Sequence, residues 1–598
     1  MKQYYFIGGV VKLKLKGGTV PDSHIYMKVT HPEFTAATFP VSSRGCWLSL
    51  AVRDQRHPPH HRRMGSGLYL RNHHGFGLNS REIARLDLLK NGRRTAACYE
   101  LHPGRLLLRP ASGGGAVELL LLAPGNLRIR AQGGLGLGMT VRPVPGNVAY
   151  LLKEGLCALN IRSARMRLQV ECLEGRKVLD APWKEDTCEH IRVKLLPGEG
   201  GCGEWALDRY TSTWVRPRRR AFVKEAAELE TAFGKFAEAQ VAVGSGFKKT
   251  RELAALVNWS CLVAPSGQLG REAMLMSKGW MDQVWSWDNC FNAMALAKGL
   301  PKLAMDQLMT VVDRQDAHGV YPDAMNDVHE HYCFNKPPVW GLALREMRRS
   351  NSRYFTAKRL RPVYESVLRF TDWWLEHRRL PGRRLCYYLH GNDSGWDNST
   401  QFDEGVPLEA PDLNAFLVTQ AEVLAGIAGE LGDRETAERL RGLSESLTEA
   451  LLEELWDGDS FVGLRHGKPA RSESLIPCMP LVLGKRLPPA MRKRLVKRVK
   501  DRLTEWGPAT EPPGSAKYSP DGYWRGPIWG PSTVLICLGL EAVGEEKLAR
   551  TTARRFARLC RKSGFAENFN ALTGAPLRDP AYSWTASAFL ILAGRSAR

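Results

Sequence analysis

At 598 residues, with 43% hydrophobic and 25% charged residues, the chain is long enough for two or three domains and has an ordinary globular composition, which excludes disordered and collagen-like classes. Its net charge of +23 permits an anionic partner. No nucleic-acid motif accompanies the basic runs RHPPHHRR (Arg56 to Arg63), RPRRR (Arg216 to Arg220) and RKRLVKRVKDR (Arg492 to Arg502), which read as solvated faces.

Thirteen scattered cysteines with no CxxC pair argue against a disulfide framework and a zinc site. No signal peptide and no apolar run of about 20 residues is recognisable, so the expected setting is a reducing cytoplasm, with neither membrane nor nucleic acid as partner.

From the start to about Val215 apolar residues alternate, as in VVKLKLK (Val10 to Lys16), LRIRA (Leu127 to Ala131), MRLQVEC (Met166 to Cys172) and IRVKL (Ile191 to Leu195), with turn signals such as PASGGG and LPGEGG between them. Period two with such punctuation predicts an antiparallel β-sandwich over 1–215. The stretch 216–246 loses the alternation, and AFVKEAAELETAFGKFAEAQ reads as a helical linker. Over 247–598 the period becomes helical, as in Leu440, Leu443, Leu447, Leu451 and Leu455, and the helices are separated by long loops rich in Gly, Pro, Trp and Asp. Helices with such loops suggest an α/α barrel whose loops build a pocket at one end.

Within that half, Gly391 to Gly405 reads GNDSGWDNSTQFDEG. Asp393, Asp397 and Glu404 have part of a calcium loop's spacing, but Asn398 stands where the sharp turn needs glycine and Gly395 where a ligand oxygen belongs. A tryptophan beside an acid in a Gly/Ser/Asn loop suits a sugar site better, since aromatic faces stack on pyranose rings and carboxylates bond hydroxyls.

Four more loops concentrate unusual residues: Gln283 to Leu296, His318 to Leu344, Asp521 to Ser532 and Gly564 to Pro576. Their motifs WSWDNCFNA, KPPVWG, SGWDNS, YWRGPIWGP and ENFN with its LTG, in that order, resemble glycoside hydrolase family 63: processing α-glucosidase I, bacterial α-glucosidases, and the mannosylglycerate and glucosylglycerate hydrolases. The resemblance covers about Trp259 to Leu590.

It implies an (α/α)6 barrel preceded by a β-sandwich, and inverting, exo-acting cleavage of α-glycosidic bonds with no metal or other cofactor. Carried over by residue, Asp397 is the general acid and Glu567 the general base. The chemistry alone favours the same pair, because glycoside hydrolysis needs one protonated carboxyl for the leaving oxygen and one carboxylate to activate water. Trp285, Trp287 and Asp288 are implied contacts of the sugar ring, Trp340, Tyr523, Trp524 and Trp529 wall residues, and Trp396 an apolar flank of the acid. Arg525 either steadies a carboxylate or is structural.

Three positions depart from the family: Met281 replaces an aromatic residue, Lys336 a glutamine and Asp393 a glutamate. Lys336 either faces an anionic group of the substrate, pairs with Asp327 or Glu330, or lies in solvent. The expected activity is an α-glucosidase acting on a small α-glucoside or oligosaccharide. The alternatives are trehalase or amylo-α-1,6-glucosidase on the same architecture, or a non-catalytic carbohydrate-binding protein.

Overall fold

A computed structural model describes residues 39–53, 66–75, 81–111, 113–152 and 156–596, together with the backbone of the short strands Phe6–Ile7, Val10–Val11 and Tyr26–Lys28. Most of VVKLKLK and the run RHPPHHRR lie outside the described residues.

The alternating half forms an eleven-stranded and a seven-stranded sheet. Every ladder in them is antiparallel except the pairing of Tyr26–Lys28 with Ala97–His102. Ala97–His102 buries every second residue, as a strand with one face on a core must. Leu106, Leu119, Ile129 and Leu168 of one sheet and Leu50, Leu70, Leu137 and Val193 of the other meet in a shared core. Each such side chain contributes roughly 1.5–3 kcal/mol on burial.

RPRRR keeps Arg216, Arg218 and Arg220 exposed, as its charge suggested, and departs from a solvated run only at Arg219. Arg219 forks onto Asp208 and Glu171, with a contact of 2.8 Å to Glu171, because the neighbouring strands Gly203–Tyr210 and Met166–Glu174 present an acid each there. The helix Phe222–Glu238 follows, burying Phe222, Ala226, Phe233 and Phe236. The last two set their rings edge-on to Trp259, 5.8 and 5.3 Å away, so this connector packs on the helical half as well as on the sheet.

Six elements of the helical half pack one on the next in a cycle that closes: Asp288–Leu296, Trp340–Ser350, Pro411–Glu430, the 3-10 segment Ile476–Arg486, Gly530–Ala542 and Ser583–Ser596. Outside them lie Lys248–Cys261, Pro301–Val312, Ala357–His377, Arg434–Glu454, Pro489–Asp501 and Glu546–Ser563, each packed on a member of the cycle. Sequence sorts the two sets. All of Asp288–Leu296 is buried, whereas Glu546–Ser563 buries only the stripe Ala549, Thr552, Ala553, Phe556, Ala557, Leu559 and Cys560. Among the described residues, no helix is long and apolar enough to cross a membrane.

Four of the five motif loops run directly into the first turn of an element in the cycle: WSWD into Asp288–Leu296, KPPVW into Trp340–Ser350, YWRGPIW into Gly530–Ala542 and the ENFN segment, through YSW, into Ser583–Ser596. SGWDNS stands ahead of Pro411–Glu430. The motifs therefore gather at one end, around the N-termini of the inner elements.

Candidate active site

A short helical turn, Gly391–Ser394, leads into SGWDNS and is ended by Gly395 in the left-handed region at φ 73°. Two glycines let the loop close on itself. A Cβ on Gly395 would lie 2.3 Å from the Trp287 ring, and one on Gly391 would lie 2.0 Å from the Asp397 carbonyl oxygen. Asp393 caps the turn from within, accepting from the amides of Leu389 at 2.8 Å and Asn335 at 2.9 Å, which also ties in the KPPVW loop.

Asn398 joins this loop to the next motif. Its side chain donates to the Gly522 carbonyl and accepts from the Trp524 amide, both at 3.0 Å. Ile528 and Phe569 then exchange amide-to-carbonyl bonds of 2.8 and 3.0 Å, which fix YWRGPIW against ENFN. This places Asp397 and Glu567 on loops cross-linked through one intervening segment, and Tyr523 on that segment feels the charge of both.

The two carboxyls sit in unlike surroundings. Glu567 is 2% exposed, and burial pushes it up to about 7, helped by the Asp579 charge and opposed by the hydroxyl of Tyr523, which donates to it at 3.0 Å. Burial also raises Asp397, while the Lys336 ammonium and then a backbone N–H donor pull it down.

Lys336 is buried, and its ion pair is with neither expected acid. Its ammonium lies 3.3 Å from Asp323 and donates to the Asn392 carbonyl at 2.6 Å. Asp327 is taken by His74 at 2.7 Å and Glu330 by Arg314 at 2.7 and 2.8 Å. Asp288 and Asp397 also face the Lys336 ammonium, so one cation stands among three aspartates. Asp288 is held well above the usual carboxylate range by burial.

Trp524 and Trp529 stack at 4.0 Å, and Trp396 tilts onto Trp524 at 4.7 Å. Trp287 meets Trp584 edge-on at 5.8 Å, and Trp340 stacks on Tyr321 at 4.5 Å. These rings cover one another's faces and back the site as a scaffold; Trp285 alone of the six tryptophans expected at the sugar is only half-buried. Arg525 does not reach either carboxylate: its guanidinium grips Asp403 and, at 2.7 Å, the Asn398 carbonyl, which makes it a brace of the loop.

Several buried polar atoms at this end have no protein partner: Asp288 Oδ2 and the indole N–H groups of Trp396, Trp524 and Trp584. Sequence reasoning missed Asp323, Asp579, Tyr582 and Trp584. Asp323 and Asp579 stand alone in GVYPDAMND and LRDPAY, with no spacing to mark them, whereas YSW shares the Trp-rich character of the other motifs.

A profile of the mannosylglycerate hydrolase MGH1-like glycoside hydrolase domain matches residues 281–585, just over half of the chain. The mannosylglycerate hydrolase of Rubrobacter radiotolerans is 23% identical over 401 residues, covering 51% of this chain and 89% of that protein. The structure of the GH63 mannosylglycerate hydrolase from Thermus thermophilus in complex with Tris and D-glycerate matches with a TM-score of 0.51 at 19% identity, over 57% of this chain and 99% of that one. A bacterial glucoamylase complexed with acarbose matches with a TM-score of 0.57 at 10% identity, over 98% of this chain and 97% of the other. Both structural likenesses concern the fold alone, and the second runs through sheets and helices alike.

Sheets leading into a helical half whose motif loops converge on buried carboxyls and tryptophans define a glycoside hydrolase. Within that class, the chain belongs to the mannosylglycerate hydrolase MGH1-like glycoside hydrolases of family 63.

Proposed function

We propose that the chain hydrolyses the α-glycosidic bond of a glycosyl glycerate, mannosylglycerate first among them, with inversion at the anomeric carbon. Asp397 protonates the leaving oxygen and Glu567 takes a proton from the attacking water. The observation that carries this reading is the contrast between the two carboxyls. They stand on cross-linked loops, one buried against tyrosine and another acid, the other beside an ammonium. Pairs of acids held in different environments are how one site runs acid and base steps together.

The unpartnered Asp288 oxygen and indole N–H groups support a polyhydroxylated ligand, because buried polar atoms need hydrogen-bond partners. The mannosylglycerate hydrolases among the relatives move the glycone and leaving group away from the generic α-glucoside first expected. His390 flanks the acid: its ring stacks on Phe334 at 4.8 Å, and its Nδ1 accepts from the Asn392 amide, which leaves Nε2–H to bond an acidic leaving group. The closed cycle of six inner elements, each backed by a helix, supports an (α/α)6 barrel over 247–598, with a β-sandwich over 1–215 and a connector over 216–246.

The test is a substrate screen. Mannosylglycerate, glucosylglycerate, trehalose, a malto-oligosaccharide and nitrophenyl α-glucoside are each incubated with the protein, and free sugar and glycerate are measured. Release of glycerate at the highest kcat/KM is the expected result; preference for trehalose or the malto-oligosaccharide would overturn the substrate assignment.

A further inference from the structure

The turn Ser277–Met281, just ahead of the strand Val284–Trp285, has two faces. On one, its carbonyl groups meet arginines from the N-terminal sheets. Arg71, which is buried and pairs with no acid among the described residues, donates to the carbonyl oxygens of Lys278 and Gly279, the second at 2.8 Å. Arg53 reaches the Gly279 carbonyl at 3.5 Å, and Arg81 takes the Trp280 carbonyl. Asp282, one residue on, is held by Arg81 and by His73 at 3.0 Å, and the Lys278 ammonium returns to Ser42 at 2.8 Å and the Cys46 carbonyl at 2.5 Å.

On the other face the same turn grips a single carboxylate. The Trp280 amide donates to Asp579 Oδ2 at 2.7 Å and the Ser277 hydroxyl donates to the same oxygen, while the Gly279 and Met281 amides converge on Ser277 Oγ at 3.0 and 3.2 Å. The fit is close enough that a Cβ on Gly279 would fall 2.3 Å from Asp579. Asp579 in turn accepts the Glu567 amide on its own carbonyl at 2.7 Å. Peptide groups whose carbonyls are bound by guanidinium are polarised towards stronger N–H donation, so the arginines act on Asp579 through the turn.

We infer that Asp579 is a positioning residue for Glu567, and that Arg71 of the N-terminal sheets holds it in place through the Ser277–Met281 turn, which makes the sheet half part of the catalytic apparatus. The inference rests on Glu567 being the general base. The Asp579 carboxylate beside it makes Glu567 a stronger base for water, since a like charge favours the protonated form. The other charged and titratable groups facing the pair are Tyr523, Tyr582, Arg578, Arg53 and Cys261. None of them is supplied by the turn.

The test uses full-length protein and two readouts. The first is the melting temperature of wild type minus that of Glu567→Gln across pH, whose midpoint reports the ionisation of Glu567 without any substrate. Asp579→Asn and Arg71→Met, each measured with and without Glu567→Gln, are expected to move that midpoint down by about half a pH unit, half of a one-unit fall in the folded-state pKa because the unfolded value stays fixed, and Arg71→Lys to restore most of it. The second is kcat on mannosylglycerate, expected to fall about 10-fold in Asp579→Asn and Arg71→Met with KM nearly unchanged, as for a misplaced reacting group. Variants that fold cooperatively and keep the wild-type midpoint overturn the inference. Should Arg71→Met fail to fold, Asp579→Asn decides it alone. Activity retained by Glu567→Gln would instead remove the base assignment, a failure that the midpoint measurement tells apart.

Discussion

The Tyr523 hydroxyl donates a 3.0 Å hydrogen bond to Oε1 of Glu567, and Tyr523 does so from a left-handed backbone at φ 63°. A bulky residue in that region costs on the order of 1–3 kcal/mol and persists only where its surroundings impose it. Here the Trp529 indole holds the Tyr523 carbonyl at 2.9 Å and the stacked Trp524–Trp529 pair fixes the segment. The hydroxyl favours the ionised form of Glu567, so Tyr523→Phe is expected to raise its pKa further. The acid limb of kcat/KM then moves to higher pH, and activity at about pH 7 falls by about 10-fold. A pH–rate profile checks the direction: movement to lower pH would contradict the role given to the hydroxyl.

Replacing either carboxyl should separate activity from stability. Asp397→Asn and Glu567→Gln are each expected to lower kcat by about 100-fold or more. Glu567→Gln should also stabilise the protein at high pH. The folded pKa of about 7 lies above the ordinary 4.5, so the folded state binds the proton more tightly than the unfolded chain. The stability this gives is fully present below about 4.5 and lost as pH rises through about 7. Removing the charge recovers on the order of 3 kcal/mol above that range and nothing well below it. Melting curves of wild type and mutant at several pH values show whether the two converge in acid.

The motif loops were legible because their residues are improbable in sequence: Trp beside Asp in WSWD and SGWD, Trp with Gly and Pro in KPPVWG and YWRGPIWGP, and an acid among asparagines in ENFN, in one order. The alternation that marks Ala97–His102 and Ile191–Leu196 as strands was equally plain, since one face of each meets a core. What was hidden is contact between distant segments. Nothing in HGVYPDAMND, residues 318–327, says that Lys336 will choose Asp323 over Asp327, because the choice is made by His74 from the sheet half taking Asp327. Likewise Arg71 bonds backbone carbonyls 207 and 208 positions away, and a carbonyl has no residue type to read. Trp340 and Trp524, expected to face a sugar, turn their faces to other rings, which spacing alone does not reveal.

Lys336 offers a test of charge reading. With Asp323, Asp288 and Asp397 around it, the ammonium is neutralised inside the protein, so Lys336→Gln is expected to change turnover of charged and neutral glycosides alike. It should also move the alkaline limb. Lys336 lowers the pKa of Asp397, which must be protonated to act as the proposed general acid, so its loss is expected to raise that pKa and extend activity to higher pH. Kinetics on mannosylglycerate and nitrophenyl α-mannoside across pH check both points; a KM effect confined to mannosylglycerate would show that Lys336 contacts the leaving-group carboxylate.

Gly395→Ala tests the loop. Its φ of 73° disfavours any side chain, and the added methyl would lie 2.3 Å from Trp287. Strain and clash together are expected to cost about 2 kcal/mol or more and to displace Asp397, two residues on. Chemical denaturation should show a lower midpoint at unchanged slope, and kcat should fall more than stability alone requires. Wild-type stability would mean that the turn relaxes without cost.

The stereochemical outcome decides between the two ways a carboxyl pair cleaves a glycoside. If Glu567 takes a proton from water, that water stands between its carboxyl and the anomeric carbon, on the face opposite Asp397. The pair is then spaced about 6.5 to 9.5 Å, against about 5 Å for a nucleophile. The surroundings of Glu567 favour the base role. Burial and the Asp579 charge raise its proton affinity to about 7, near the optimum for accepting a proton at neutral pH, whereas a nucleophile works from a stably ionised, lower-pKa carboxylate. Attack from the far face converts an α-glycoside into a β-sugar in one step. Proton NMR in the first minutes of mannosylglycerate hydrolysis should therefore show the β-anomer ahead of mutarotation. Initial release of the α-anomer would require a glycosyl-enzyme intermediate and would reverse the roles assigned to Asp397 and Glu567.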